Sequence, residues 1–141
     1  MTWLITGGAG YIGAHVVRAA LASGRQVVVL DDMTTGVAAR IPHGVELEQV
    51  TLTDAQLVEQ VFKTHPITGV LHLAAKKQVG ESVERPDYYW DQNVRGLTNL
   101  LDEEVPVIAG SEINDDPFNP ISRAAMDQVA AMGDATPIAW L

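Results

Sequence analysis

The 141-residue sequence predicts an α/β fold built on a doubly wound parallel sheet. Three observations support this prediction: short apolar segments rich in β-branched residues recur along the chain, helical patterns separate them, and a glycine-rich turn follows the first of them. Strands that alternate with helices pair in parallel through right-handed crossovers. An antiparallel α+β domain is the alternative. The length and the 47% hydrophobic content indicate one domain with a real core.

Six apolar segments are short enough to be strands buried on both faces: Trp3–Ile5, Val27–Leu30, Val45–Val50, Gly69–Leu73, Val105–Ala109 and Thr136–Leu141. The periodicity between them predicts four helices, at about Tyr11–Ser23, Asp54–His65, Asp87–Glu103 and Ser122–Met132. Asp54 or Thr53, and Ser122, are candidate N-caps because their short side chains can accept hydrogen bonds from a first helical turn. The expected strand order is 3-2-1-4-5-6.

Charge and composition exclude several classes of protein. The chain has 18 acidic and 9 basic residues and a net charge of -9, so we expect no nucleic-acid partner. It has no cysteine, which excludes a disulfide framework and a thiolate metal site, and we expect no metal. No long apolar run or signal-peptide pattern is present, so we expect a cytoplasmic protein without a membrane partner.

The segment from Gly8 to Gly13 reads G-x-G-x-x-G, directly after a predicted strand and directly before a predicted helix. Glycine permits a tight turn, lets backbone N–H groups approach a pyrophosphate and lets the helix pack closely on the strand. The helix N-terminus adds partial positive charge. We therefore expect the turn to bind a diphosphate, and a turn that serves packing alone is the alternative.

The second predicted strand ends in VVVLDDM, which places Asp31 where a carboxylate can accept hydrogen bonds from an adenosine ribose. Its negative charge repels a 2′-phosphate and so favours NAD over NADP. A strand-end cap is the alternative role for this residue. Together, the glycine-rich turn and Asp31 predict an NAD-binding Rossmann domain over residues 1–141.

Three segments, TGGAGYIG, VVVLDDMTTG and VLHLAAKKQVGESVERPDYYWDQNV, resemble the extended short-chain dehydrogenase/reductase family, and within it most closely the UDP-glucose 4-epimerases. The third segment is the specific one, since many unrelated enzymes share a G-x-G-x-x-G turn. The resemblance is strong over residues 1–101, whereas residues 102–141 are shortened and divergent. It implies NAD as cofactor and a UDP-sugar as a further ligand.

The resemblance also implies which residues bind the cofactor. They belong to the phosphate turn, the acidic end of the second strand, the loop after the fourth strand and one helix: Gly7, Gly10, Tyr11, Ile12, Gly13, Asp31, Asp32, Met33, Ala74, Ala75, Lys77 and Asn93. A solvent-facing asparagine is the alternative for Asn93. We expect Lys76 to be solvated. We expect His72, on a buried strand, to be a packed and hydrogen-bonded core histidine rather than a catalytic base.

The sequence departs from the family at the catalytic residues. The family uses a Tyr-x-x-x-Lys pair, in which the tyrosine acts as acid/base at the sugar hydroxyl, but here no tyrosine follows Tyr89 and no lysine follows Lys77. Ser111 is a candidate for the serine that fixes the substrate oxygen, and the catalytic residues are otherwise unknown. Thr51 stands where the family has an aspartate that contacts adenine, which predicts weaker adenine binding.

Family members carry a second half that forms most of the sugar pocket, and we expect this chain to lack that sugar-binding domain. Three hypotheses remain: an NAD-binding domain without independent turnover, an active nucleotide-sugar epimerase or oxidoreductase that uses a recruited tyrosine or a partner, and a non-enzymatic interaction module that keeps only the fold. An apolar stripe on the third helix predicts a homodimer, its residues being Val94, Leu97, Leu100 and Leu101.

Overall fold

The computed structural model describes residues 1–109 and 138–140. Six strands form one parallel sheet in the order β3-β2-β1-β4-β5-β6, which confirms the predicted fold class and strand order. The strands are β1 (Thr2–Thr6), β2 (Gln26–Leu30), β3 (Glu46–Glu48), β4 (Ile67–His72), β5 (Val107–Ala109) and β6 (Ile138–Trp140). Each overlaps an apolar segment of the sequence, as expected of strands buried on both faces. The edge strand β3 is partly exposed and has a glutamate on each side of Leu47.

The first two helices are those that the periodicity predicts, α1 (Tyr11–Ala22) and α2 (Ala55–Thr64). Asp54 is the N-cap of α2, since its carboxylate accepts a hydrogen bond of 3.1 Å from the N–H of Leu57. A short 3₁₀ helix, Ala38–Arg40, follows β2. Within the described ranges, no helix is long and apolar enough to cross a membrane.

The third predicted helix is more elaborate than its periodicity indicates. A short helix, α3 (Val79–Glu84), precedes α4 (Pro86–Trp90), which continues through a π-helical turn (Asp91–Arg95) into α5 (Gly96–Leu101). The backbone stays in the right-handed helical region at both junctions. The predicted helix Ser122–Met132 lies outside the described residues.

Two hydrophobic clusters lie on opposite faces of the sheet, because successive side chains of a strand point to opposite sides. Leu4 belongs to the cluster that contains Val58 of α2 and Leu100 of α5. Its neighbour Ile5 belongs to the other cluster, with Val17 of α1. Complete burial of such a side chain stabilises the fold by roughly 1.5–3 kcal/mol. The central strands are thus covered by helices on both sides.

The apolar stripe expected on the third helix is only partly exposed. Leu100 is fully buried, and Leu97 packs against the same cluster, whereas Val94 and Leu101 remain 40% and 37% exposed. The stripe as predicted is wrong, because two of its four residues complete the core of the domain itself. The homodimer stays a prediction.

The order of the strands reverses between β1 and β4. Residue Thr6, at the end of β1, pairs with Leu30 of β2 on one side and with His72 of β4 on the other. The carboxyl ends of these three strands therefore meet at one edge of the sheet. In open α/β sheets, ligands bind outside that edge at the point of reversal.

Candidate functional site

A cleft of about 270 Å³ opens at this carboxyl edge. Four segments line it, namely the turn before α1, the loop after β2, the loop after β3 and the loop after β4, with one residue from the π-helical turn. The lining residues are Gly7, Gly10, Tyr11, Ile12, Gly13, Leu30, Asp31, Asp32, Thr35, Arg40, Val50, Leu52, Leu73, Ala74, Ala75, Lys76, Lys77 and Gln92. Every predicted cofactor-binding residue is among them except Met33 and Asn93.

The glycine-rich turn leaves no room for side chains at two positions. A Cβ on Gly13 would lie 2.0 Å from the carbonyl oxygen of Gly7, and Gly7 itself has a φ of +70°. The turn is closed by the N–H of Gly10, which donates to the Gly7 oxygen at 3.0 Å. No side chain caps α1. The first N–H groups of α1 have no partner within the helix, and the residues that carry them line the cleft.

Asp31 is 7% exposed and connects the end of β2 to the turn. Its Oδ2 accepts a hydrogen bond of 3.0 Å from the N–H of Ala9, and its Oδ1 accepts one of 2.9 Å from the N–H of Met33. Asp31 therefore acts as a strand-end cap, the alternative role that the sequence leaves open for it. Each carboxylate oxygen can accept a further hydrogen bond, and the residue also lines the cleft. Met33 contributes its backbone N–H here.

The carboxylate of Asp32 is held by the loop after β2. It accepts hydrogen bonds from the backbone N–H of Thr34 at 2.9 Å and from the Thr34 hydroxyl at 2.7 Å. Burial alone would raise the pKa of Asp32, but these hydrogen bonds and the ammonium of Lys76 outweigh it, so the pKa lies below its usual value. Asp32 is therefore charged at neutral pH.

Lys76 is not solvated as expected. Its Nζ lies 3.3 Å from Oδ2 of Asp32 and also donates to the hydroxyl of Thr34, and its side chain is only 18% exposed. The pair joins the loops after β2 and β4. The expectation failed because the partner is 44 residues away along the chain, which no local pattern reveals.

Asn93 binds backbone instead of lining the cleft. Its Oδ1 accepts a hydrogen bond of 2.8 Å from the N–H of Lys76, and its Nδ2 donates one of 2.9 Å to the Lys76 carbonyl. The amide thus holds the loop after β4, which carries Ala74, Ala75 and the exposed Lys77. The solvent-facing alternative is wrong, and the adjacent Gln92 lines the cleft.

His72 lies behind the cleft and is 7% exposed. The hydroxyl of Thr6 accepts hydrogen bonds from the N–H groups of Leu73 and Ala74 at 3.2 and 3.3 Å. Its own proton is therefore directed to Nδ1 of His72, at 2.7 Å. Burial lowers the pKa of His72 to about 4. The imidazole is neutral at pH 7, as expected of a hydrogen-bonded core histidine.

The three tyrosines of the chain stand in different surroundings. The hydroxyl of Tyr89 donates to Oε2 of Glu81 at 2.9 Å and accepts from the N–H of Gln78 at 3.1 Å. Burial and the hydrogen bond to Glu81 raise the pKa of Tyr89. The ring of Tyr88 lies under the Arg85 guanidinium, 4.1 Å from it.

Tyr11 lines the cleft and meets the ring of His15 edge-on, with 5.0 Å between the ring centres. It is 53% exposed. Ser111, the candidate for the substrate-fixing serine, lies outside the described residues.

Sequence reasoning missed several residues of the cleft. Val50 and Leu52 line it from the loop after β3, and the second of them also belongs to the core. The signal that could have identified them is their place, just after the third strand on the same sheet edge as Asp31. Thr35 and Arg40 line the cleft from the segment after β2.

Residues 3–104 match the model of the NAD dependent epimerase/dehydratase family. The UDP-glucose 4-epimerase of Streptomyces lividans is 43% identical to the chain over 101 residues, which cover 71% of this chain and 31% of that protein. The chain thus spans about a third of the length of this curated relative.

Two solved structures have the same fold over most of the chain. The Thermus thermophilus UDP-glucose 4-epimerase in complex with NAD superposes with a TM-score of 0.77 and 32% identity, covering 99% of this chain and 53% of that one. The Thermotoga maritima UDP-glucose 4-epimerase with UDP-glucose gives a TM-score of 0.75 and 26% identity, covering 93% and 50%. Because the family model matches well over half of its residues, the chain belongs to the NAD-dependent epimerase/dehydratase family.

Proposed function

We propose that this chain is an NAD-binding domain whose cleft holds the cofactor diphosphate at the N-terminus of α1 and the adenosine ribose at Asp31. The observation that carries the proposal is the uncapped start of α1, which meets a carboxylate in one cleft. A helix N-terminus favours phosphate because its N–H groups and its dipole both face the anion. The relative from Thermus thermophilus is described in complex with NAD.

The residues of the cleft suit the parts of a dinucleotide. The space at Gly13 that a Cβ would fill permits close approach of the backbone to a diphosphate. Val50 and Leu52 offer apolar surface for an adenine ring. Lys77 also lines the cleft and adds a positive charge to it. NAD, when bound, supplies a hydride acceptor, and the groups of this chain bind and orient it.

We further infer that the 141-residue chain does not interconvert UDP-sugars at an enzyme-like rate by itself. Such a reaction needs a group that takes the proton of the sugar hydroxyl, and a positioned acid/base contributes roughly 10²- to 10⁴-fold. The sequence has no Tyr-x-x-x-Lys pair. Tyr89 is a poor substitute, because its proton is bound to Glu81 and its pKa is raised.

Calorimetric titration of NAD into the purified chain and into Gly10→Leu tests the cofactor proposal. A Cβ at Gly10 would contact only the Gly7 oxygen, at 3.1 Å, and Gly10 lines the cleft, so we expect the variant to fold with its side chain at the cleft, and circular dichroism checks its folding. We expect NAD to bind the parent and to bind the variant at least about tenfold more weakly. Gly80→Leu is the matched control, since Gly80 has open space around it. Equal affinity of the parent and Gly10→Leu would refute this site.

Conversion of UDP-galactose by the chain supplied with NAD tests the absence of turnover. We expect no enzyme-like conversion by the parent, and none by Tyr11→Phe or Tyr89→Phe. Robust conversion that one of these substitutions abolishes would show that a recruited tyrosine acts as the acid/base, and the second inference would be wrong while NAD binding stood. Absence of NAD binding would favour the interaction module.

A further inference from the structure

An ion pair joins two loops that line the proposed cofactor cleft, beside the acidic end of β2. The ammonium of Lys76, from the loop after β4, lies 3.3 Å from Oδ2 of Asp32 and also donates to the Thr34 hydroxyl. The side chains of Lys76 and Asp32 are 18% and 27% exposed, so water screens the pair only partly. Both residues line the cleft.

Hydrogen bonds from neighbouring residues hold both partners of the ion pair in position. The amide of Asn93 makes two hydrogen bonds to the Lys76 backbone, and the second oxygen of Asp32 is bound by the N–H and hydroxyl of Thr34. The pKa of Asp32 lies below its usual value, because the hydrogen bonds from Thr34 and the Lys76 charge outweigh the effect of burial. At neutral pH, the ammonium of Lys76 is therefore paired with the carboxylate of Asp32, and both groups are held in place before any ligand binds.

We propose that this ion pair controls the choice between NAD and NADP, with Asp32 occupying an ammonium on Lys76 that would otherwise bind the ribose 2′-phosphate. The inference rests on the proposed function, since Asp31 next in sequence is the residue assigned to the adenosine ribose. Lysine binds phosphate as a compact charge through charge-assisted hydrogen bonds. The uncharged 2′-hydroxyl of NAD does not compete with Asp32 for this ammonium, whereas a 2′-phosphate meets two carboxylates and a cation already paired.

The sequence does not show this arrangement. Asp31 and Asp32 together indicate only that a 2′-phosphate is repelled. The structure adds that a cation lies within hydrogen-bonding distance of the second acid. Removing the charge of Asp32 should therefore do more than reduce repulsion, because it also releases Lys76. Arg40 and Lys77 line the cleft as well, so a double variant is needed to assign the effect to Lys76.

The experiment is calorimetric titration of NAD and NADP into the parent, Asp32→Asn, Lys76→Met and the double variant. We expect Asp32→Asn to raise the ratio of NADP to NAD affinity by roughly 10- to 100-fold, the effect of one charge-assisted hydrogen bond. The double variant should lose most of this gain, and Lys76→Met alone should show none. High salt should reduce the gain, since it screens the phosphate charge. Asp87→Asn, an equal charge change on an exposed residue outside the cleft lining, should leave the ratio unchanged.

Adenosine 2′,5′-bisphosphate and AMP serve as second probes, because they differ only in the 2′-phosphate. Asp32→Ser repeats the test with a smaller acceptor, and circular dichroism checks the folding of each variant. An unchanged affinity ratio in both Asp32 variants, or a gain retained in the double variant, would overturn the inference while NAD binding by the parent left the proposed function intact. Absence of binding of both dinucleotides would overturn both.

Discussion

The hydroxyl of Thr6, at the end of β1, donates a hydrogen bond of 2.7 Å to Nδ1 of His72, at the end of β4. The same hydroxyl accepts hydrogen bonds from the N–H groups of Leu73 and Ala74, which directs its own proton to the ring and favours the Nε2–H tautomer of the imidazole. This contact fixes the chain where it leaves β4 for the proposed cofactor cleft. A neutral histidine is thus part of the frame that positions the loop after β4.

The free energy of unfolding should decrease as the pH is lowered, because His72 is buried in its neutral form. Burial lowers the pKa of His72 from its ordinary value of 6.5 to about 4. As the pH falls below 6.5, the unfolded chain therefore binds the proton first, and the free energy of unfolding decreases until the pH reaches about 4. Between pH 7 and pH 5, this group alone should remove about 2 kcal/mol.

Urea unfolding at the two pH values measures this effect. His72→Asn, whose amide can still accept from Thr6, should show a pH dependence smaller by that amount. His43→Asn, at an exposed histidine, should retain the parent dependence. An identical pH dependence in His72→Asn and the parent would show that His72 does not carry the effect.

Gly13 should be intolerant of even one methyl group. A Cβ there would lie 2.0 Å from the Gly7 oxygen and 2.7 Å from Cα of Gly8, both backbone atoms of the turn. We expect Gly13→Ala to lower the free energy of unfolding by about 3 kcal/mol, the upper end of overpacking costs. Gly80→Ala adds a Cβ in α3 that meets no atom within 4 Å apart from its chain neighbours and the backbone of its own helix, so this change should be neutral or stabilising by up to about 1 kcal/mol. Equal stability of the two variants would contradict the packing of the turn.

Asn93 should act on the cofactor through the loop it holds. In Asn93→Ala, the N–H and carbonyl of Lys76 lose their side-chain partner, which should cost about 1–3 kcal/mol of stability without any ligand and also weaken NAD binding. Chemical unfolding and NAD titration measure the two effects. Thr98→Ala, which removes a hydrogen bond on an exposed helix surface, is the control. An asparagine that only contacted the cofactor would leave the ligand-free stability unchanged.

The fold was predictable because its information is local. The central strands of a parallel sheet are nearly continuous apolar runs, and the G-x-G-x-x-G turn lies between one such strand and a helix, so residues such as Gly13 and Asp31 could be placed from the sequence. A helical pattern also marked α1 and α2. The strand order then followed from the crossovers of the fold class.

What the sequence did not reveal depends on contacts between distant segments. Lys76 reaches Asp32 on a loop after another strand, and Asn93 turns to the backbone of a loop 17 residues before it. Leu100 lies on an apolar stripe that suits either the core of the domain or a dimer interface, and the structure buries it in the core. The periodicity also did not indicate the π-helical turn, Asp91–Arg95, that precedes it. The periodicity of the sequence therefore indicates neither the contacts of Lys76 and Asn93 nor which surface Leu100 covers.

The central claim is that NAD lies across the carboxyl edge of the sheet with its diphosphate at the start of α1. Backbone amide chemical shifts of the isotope-labelled chain, followed during titration with NAD, test it most directly. The largest changes should fall on Tyr11, Ile12 and Gly13, with further changes at Asp31 and Ala75. No change at these amides at saturating NAD, or changes confined to α2, would contradict the claim.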